Sequence, residues 1–318
     1  MIKIFITGAA GFIGMHLAQK LHNEGHKVIG IDNFNNYYDT ALKYKRCDNL
    51  LSLGIEIEDV DLKDKQHIES ILRFQNPDLI IHLAAHAGVR HSMDNAMAYI
   101  ENNIIATQNL IDVCEGRVNK IIYASTSCVM AGQDLPWSEK DNPSHQLNPY
   151  GYTKRTNECQ FITSKILHTI GLRFFTVYGP WGRPDMALFK FSEAAVKDNT
   201  IDVYNNGQML RDFTYIDDII EGINIIVNHI LSIENNKYNQ IYNIGRGEQI
   251  HLMDFIEEIE NNFNREIKKN YVDAHPADTI ETLSDRTKLQ GLGWAPKISI
   301  KEGVSNFVKW YKDYYGYN

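Results

Sequence analysis

The chain has little of what staples small secreted domains: its 318 residues include only four cysteines and eight prolines. Cys47, Cys114, Cys128 and Cys159 are scattered, with no CxxC pair. That argues against a disulfide framework and reads as reduced thiols in a cytoplasmic protein. No histidine pair stands beside such a cysteine pair, so no metal site is expected. No apolar run approaches the ~18 residues of a membrane span. Positive charge is also short: 32 Lys and Arg face 40 Asp and Glu, a net charge of -8. That excludes the global basic field of a nucleic-acid or anionic-membrane binder, and an anionic ligand would need a local basic site. The opening Met1–Ile6 is too short for a signal peptide and reads as a strand. No repeat, low-complexity linker or charge block separates independent domains.

What the chain does have is alternation. β-branched runs at Ile2–Ile6, Lys27–Ile31, Ile55–Val60, Leu79–His82, Lys120–Ala124 and Leu172–Val177 predict strands. Helical patterns lie between them near 12–24, 64–74, 94–115 and 150–169. Strands separated by helices imply right-handed crossovers and a parallel sheet. After Val177 the pattern changes, through the loop chemistry of Tyr178-Gly179-Pro180-Trp181-Gly182-Arg183-Pro184. Short strands then mix with helices near 215–232, 251–263 and 299–314. The expected architecture is α/β: a Rossmann-type doubly wound parallel sheet over 1–177, joined by later returning segments, with a smaller mixed α/β C-terminal substrate lobe over 178–318. Ligands in such sheets bind beyond the carboxyl ends of the strands.

The first strand runs into Thr7-Gly8-Ala9-Ala10-Gly11-Phe12-Ile13-Gly14. Glycines here let the chain turn tightly and let a pyrophosphate approach the helix N-terminus. GxxGxxG alone is weak and is often only a turn. Its context strengthens it, because a strand precedes, a helix follows, and Asp32 closes the next strand. That carboxylate suits the adenosine ribose hydroxyls and repels a 2′-phosphate, and no Arg follows directly, so NAD is favoured over NADP. The alternative for Asp32 is a turn aspartate. Asn33 is placed beside it at the cofactor. Asp61, with Leu62, follows the third strand and could meet the adenine; the alternative for Asp61 is an N-cap for the helix near 64–74. Leu83, Ala84 and Ala85 follow the fourth strand, where small residues leave room for a cofactor.

Tyr150 and Lys154 lie four residues apart, on one helix face. A free tyrosine titrates near ~10 and is a poor base at neutral pH. A neighbouring ammonium and a nicotinamide cation would favour phenolate, able to take a proton from an alcohol as hydride leaves its carbon. Tyr-x-x-x-Lys occurs often by chance as a surface contact. Here the hydroxyl cluster Ser125-Thr126-Ser127 lies upstream at a strand end, and Thr126 would hold the reacting oxygen. Tyr152 is a rival that would face away from Lys154.

These residues resemble the extended short-chain dehydrogenase/reductases, specifically their nucleotide-sugar epimerases. The resemblance covers nearly the whole chain. Arg173–Lys190 and Ala87-Gly88-Val89-Arg90 are especially similar to UDP-glucuronate 4-epimerases. It implies bound NAD, a UDP-sugar substrate, inversion at C4 and a homodimer made by pairing the helices near 94–115 and 150–169 into a four-helix bundle. It also implies roles: Tyr150 as base, Lys154 as its partner, Thr126 as helper, and Asn103 and Tyr178 near the cofactor. Arg183 and Arg211 match arginines that hold the diphosphate, a task suited to guanidinium forks. Arg90 and Asp278 match the substrate side, with Asp278 near the uridine ribose. Thr176, with Ser125 or Ser127, matches the carboxylate end of the sugar. For each arginine the alternative is a structural salt bridge.

One absence discriminates. Related 4,6-dehydratases carry an acidic pair after the threonine, and decarboxylases a glutamate, whereas Ser127 and Cys128 stand here. Two departures from the pattern, Val129-Met130-Ala131-Gly132 and a short connection after Lys154, touch the pocket wall and not the catalytic groups. The competing readings are a net 4-dehydrogenase or ketoreductase on another nucleotide sugar, and a cofactor-sensing protein without catalysis. The latter should have lost Tyr150 or Lys154.

Overall fold

A computed structural model of the chain describes residues 1–234 and 236–317. Seven strands form one sheet: β1 (Lys3–Thr7), β2 (Lys27–Asp32), β3 (Ile57–Asp59), β4 (Leu79–His82), β5 (Lys120–Thr126), β6 (His168–Phe174) and β11 (Tyr238–Ile244). Their order is β11-β6-β5-β4-β1-β2-β3, and every pair is parallel. Successive side chains on a strand face opposite ways. Ile4 and Ile6 of β1 enter one apolar core and Phe5 another. Both faces are therefore dry, which is why these strands read as unbroken apolar runs.

The first core is closed by α1 (Phe12–Asn23) and α9 (Ile216–Ser232), the second by α3 (Lys65–Gln75), α6 (Ala106–Cys114) and α7 (Pro149–Thr163). The winding reverses between β1 and β4, so a crevice opens where the chain leaves those two strands. β11 reaches the sheet from beyond residue 177, as a returning segment. The rest of the second half carries three strand pairs: β7 (Thr176–Tyr178) with β10 (Phe213–Tyr215), β8 (Thr200–Tyr204) with β13 (Lys268–Val272), and β9 (Leu210–Arg211) with β12 (Ile250–His251). Helices α8 (Ala187–Lys197), α10 (Leu252–Phe263), α11 (Thr287–Gln290) and α12 (Ile300–Tyr315) pack around them.

Three expectations need correction. The helix predicted to reach residue 169 ends at Thr163, where Ser164 turns extended with ψ 162. The chain then enters β6 at His168, not Leu172, in register with Lys120 of β5. The single helix predicted over 94–115 is divided: α5 (Ala96–Tyr99), a π-helical segment Ile100–Ile105, then α6, with α4 (Val89–Asp94) before them. And α2 (Ala41–Leu51) was not anticipated. It buries Arg46, which donates to the Ala10 carbonyl (3.1 Å) and the Trp181 carbonyl (2.6 Å), clasping the glycine turn to the loop after β7.

Candidate active site

A cleft of about 910 Å³ opens at the carboxyl ends of the strands and takes its walls from both halves of the chain. That is a ligand-sized volume, toward the top of the usual range of about 300–1,000 Å³. Gly8, Gly11, Phe12, Ile13, Gly14, Asp32, Asn33, Asp61, Leu62, Leu83, Ala84 and Ala85 all line it. Gly8 has φ +72, and a Cβ there would lie 2.7 Å from the Ala84 nitrogen. A Cβ on Gly14 would lie 2.2 Å from the Gly8 carbonyl oxygen. The turn after β1 thus presses on the loop after β4, and only glycine permits it. No side chain caps α1, whose N-cap is Gly11. Its first amides are left for an anion, as a dinucleotide pyrophosphate requires.

Asp32 is 7% exposed. Its Oδ1 accepts from the Phe34 amide (2.9 Å) and from the Lys43 ammonium (3.3 Å). Oδ2 takes no hydrogen bond among the described residues and remains for a ribose hydroxyl. The turn role is met by Oδ1 alone, so it leaves the other oxygen of the carboxylate open. Lys43 was missed because it lies on the unanticipated α2. An Asp32–Lys43 pair repels a 2′-phosphate less than a lone carboxylate, which weakens one argument for NAD over NADP. Asp61 is not the N-cap of α3; Asp64 is, accepting from the His67 amide. Asp61 accepts from the Lys63 amide (2.8 Å) and from Asn33 Nδ2 (3.3 Å), which joins the two cofactor-side loops.

Asn103 and Tyr178 do not line the cleft. Asn103 is fully buried in the π-helical segment. Its Oδ1 accepts from the His86 amide (2.8 Å), and its Nδ2 donates to the His86 carbonyl (3.0 Å) and Thr153 Oγ1 (3.0 Å). It holds the loop after β4 to α7, and both of its N–H bonds are spent on protein partners. Tyr178 is packed edge-on against Phe213, Tyr215 and Phe255.

Tyr150 and Lys154 both line the cleft. α7 starts where it does because Pro149 suits the first helical position and Asn148 caps it, its Oδ1 accepting from the Gly151 amide at 2.8 Å. Burial raises the Tyr150 phenol well above its ordinary value, and the Cys128 thiol adds to this, while the Thr126 hydroxyl and the Arg183 guanidinium pull it back. Lys154 is 1% exposed, and burial lowers its ammonium to about 7, with Glu158 pulling the other way. The pair is thus electrically poor in isolation: positive charge brought beside the phenol is what would free its proton.

Glu158, missed in the sequence, is fully buried one turn beyond Lys154. It accepts from Arg173 at 2.8 and 3.0 Å, Arg155 at 2.7 Å and Ser125 Oγ at 2.7 Å. Ser125 lines the cleft, but its one hydroxyl proton is spent on Glu158. That corrects its expected role as a donor to substrate. Ser127 and Thr176 line the cleft with hydroxyls that have no hydrogen-bond partner among the described residues.

Arg90, Arg183, Arg211 and Asp278 line the cleft too. Arg90 is ion-paired to Asp278 (2.6 Å) and lies 3.5 Å over the Tyr204 ring. Arg183 pairs with Asp185, which also accepts from Tyr37 at 3.1 Å. Arg211 donates only to the Leu210 and Ile280 carbonyls and a distant Met209 sulfur. It has no carboxylate within 4 Å among the described residues, and burial lowers its pKa. Of the three guanidiniums, Arg211 is the one with no contact ion pair among the described residues, although Asp278 acts on it from farther off.

The chain has known relatives. Residues 4–245 match the sequence profile of the NAD dependent epimerase/dehydratase family. Protein CapI of Staphylococcus aureus is 42% identical, covering 99% of each chain. A UDP-glucuronate 4-epimerase of Thermodesulfobacterium geofontis is 38% identical, covering 97% of this chain and 95% of that protein. The crystal structure of UDP-glucuronic acid 4-epimerase from Bacillus cereus, in complex with UDP-glucuronic acid and NAD, aligns with a TM-score of 0.90 at 33% identity, over 99% of this chain and 100% of that one. With its glycine turn, its Tyr150–Lys154 helix and these relatives, the chain belongs to the NAD dependent epimerase/dehydratase family.

Proposed function

We propose that this protein is an NAD-dependent UDP-glucuronate 4-epimerase, interconverting UDP-glucuronate and UDP-galacturonate through a 4-keto sugar. The observation that carries the substrate is the pair of unpartnered hydroxyls, Ser127 and Thr176, in the cleft that holds Tyr150, with no carboxylate beside Thr126. Neutral donors suit a sugar carboxylate, and an acid there would repel it. The relatives named UDP-glucuronate 4-epimerases support the same reading.

In this reading residues 1–177, with β11, hold the cofactor and residues 178–318 build the nucleotide-sugar side. Gly8, Gly11 and the uncapped start of α1 hold the pyrophosphate, while Asp32 takes the adenosine ribose. NAD, when bound, supplies the hydride acceptor for C4 and a positive ring near the phenol. Thr126 orients the C4 oxygen. Tyr150, as a phenolate favoured by the Lys154 ammonium, takes the C4 hydroxyl proton as hydride leaves C4. The keto sugar turns about its diphosphate link, which Arg211 holds with help from Arg183. C4 then takes back its hydride on its other face while Tyr150 returns the proton to the C4 oxygen, so the reaction is redox-neutral and the protein keeps its cofactor. The expected cellular site is the cytoplasm, consistent with four free cysteines; no described helix is long and apolar enough to cross a membrane.

The test is NMR of purified protein with UDP-glucuronate, UDP-glucose and UDP-N-acetylglucosamine, without added NAD. UDP-galacturonate should appear from the first alone. Turnover of a neutral sugar with none of UDP-glucuronate would overturn the substrate assignment and leave epimerisation standing.

A further inference from the structure

Segment 275–282 borders the nucleotide-sugar side of the cleft; Glu281 and Thr282 anchor its far end to Gln249, Leu210 and Asp212, and three residues nearer the cleft tie it down as well. Asp278 pairs with Arg90. The Ile280 carbonyl accepts from Arg211 Nη1 (2.7 Å) and from the Leu210 amide (3.1 Å). The Ala277 carbonyl accepts from Asn148 Nδ2 at 3.2 Å. Asn148 is the residue that caps α7, two positions before Tyr150. It is 6% exposed and does not itself line the cleft.

One buried amide thus makes two bonds of opposite sense. Its oxygen fixes the first turn of the helix that carries Tyr150, and its N–H fixes the segment that carries Asp278. We propose that Asn148 is a positioning residue that couples the seating of a nucleoside diphosphate against segment 275–282 to the placement of Tyr150. This rests on the nucleotide-sugar reading above and deepens it. A diphosphate drawn to Arg211 meets the same guanidinium that grips Ile280, so its arrival steadies the segment. The segment steadies Asn148 through Ala277, and Asn148 sets the helix start. Capping alone does not call for asparagine, since aspartate and serine cap as well or nearly so. Aspartate has no N–H to donate, and the serine hydroxyl is too short to serve both partners.

The experiment compares Asn148→Asp and Asn148→Ser with the parent protein, using UDP as the probe. Both variants keep the cap, so cofactor content should match the parent, and melting temperature should fall only by the worth of the one bond lost to the Ala277 carbonyl. Asn148→Ala, which loses the cap as well, should melt lower. The Kd for UDP and the KM for UDP-glucuronate should rise about threefold to tenfold in both capping variants, the worth of one hydrogen bond. Hydrogen exchange supplies the readout of coupling. UDP should slow exchange in a peptide spanning 148–156 of the parent, and do so less in either variant. Unchanged UDP affinity in both variants overturns the proposal, and so does undiminished protection of that peptide. A parent protein that fails to bind UDP instead overturns the nucleotide-sugar reading.

Discussion

Tyr150 shows how much one side chain depends on its surroundings. Its phenol is held above the ordinary range by burial, so it becomes a base only with positive charge beside it. Tyr150→Phe should cut turnover by at least about 10²–10⁴-fold, the worth of general acid–base help, with fold and bound NAD intact. Thr126→Ala should cost less, about tenfold, because it removes orientation and not the acceptor. A Tyr150→Phe enzyme of near-parental rate would move the base to Tyr152. Lys154 gives a prediction about pH. Its folded value of about 7 lies below the ordinary lysine value of about 10.4. Below pH 7 the amine is protonated both folded and unfolded, and the burial penalty is at its fullest. Between about 7 and 10 the unfolded chain keeps a proton that the folded protein has released, so stability rises with pH across that window. Lys154→Met removes the slope. The melting temperature of the variant minus that of the parent should be most positive below pH 7 and shrink toward pH 9. A difference that does not vary with pH would rule out a depressed ammonium.

Thr176 belongs to the same scale. Oxidation at C4 of UDP-glucuronate makes a β-keto acid, which loses CO2 when the bond to the carboxylate aligns with the ketone. A hydroxyl that holds the carboxylate out of alignment protects the intermediate, because small angular errors change orbital overlap. With Ser125 committed to Glu158, the proposed reading leaves that grip to Thr176 and Ser127. Thr176→Ala should release several times more labelled CO2 per epimerisation than the parent, read with carboxyl-labelled substrate. Equal partitioning would remove Thr176 from that role.

At the scale of elements, the π-helical segment Ile100–Ile105 matters most. Asn103 sits in it and bonds both backbone polar groups of His86, so a helix fixes the loop that walls the cofactor side of the cleft. Asn103→Ala leaves those two half-buried groups without their partner. It should cost about 1–3 kcal/mol of stability and weaken NAD binding, measurable by thermal melts and cofactor titration. Stability lost with NAD affinity unchanged would mean that the loop does not depend on the clamp. Sequence pattern reveals such a helix but not its wide turn, since an apolar period near four residues fits either winding. The sheet was legible for the same reason that β6 was misplaced. Buried parallel strands are plain apolar runs, but Lys165-Ile-Leu-His-Thr-Ile170 mixes polar and apolar residues without a period, and the pairing of His168 with Lys120 across the sheet decides its state. α2 stayed hidden because Lys43 and Arg46 bury their charges, inverting the usual polar-out reading. In the site, Gly8, Asp32, Tyr150 and Lys154 line one cleft, and their spacing, read with the strands and helices around it, marks them. Glu158 joins Arg173 and Ser125, and Lys43 joins Asp32, across separate elements, and no spacing rule reports those pairings.

For the whole molecule, the question is what covers the helices that flank the site. Met97 is 63% exposed, Ile105 48% and Ile162 47%, on the α5–π–α6 run and on α7. The two runs are already sewn together, with Asn157 donating to the Asn103 carbonyl (2.6 Å) and Gln160 to the Ile104 carbonyl (3.1 Å). A helix pair with apolar side chains left on its outer surface is suited to meeting its own copy, because a two-fold interface needs only one self-complementary patch. We predict a homodimer through a four-helix bundle of these runs. Light scattering should give twice the 36.5 kDa chain mass for the parent. The double substitution Ile105→Lys with Ile162→Lys should give the monomer, since like charges would face one another across the axis. The same helices hold Asn103 and Tyr150, so the monomer should also lose activity in proportion to loosening of α7. A double variant that remains dimeric would place the interface elsewhere, and a monomeric parent would leave those side chains unexplained by self-association.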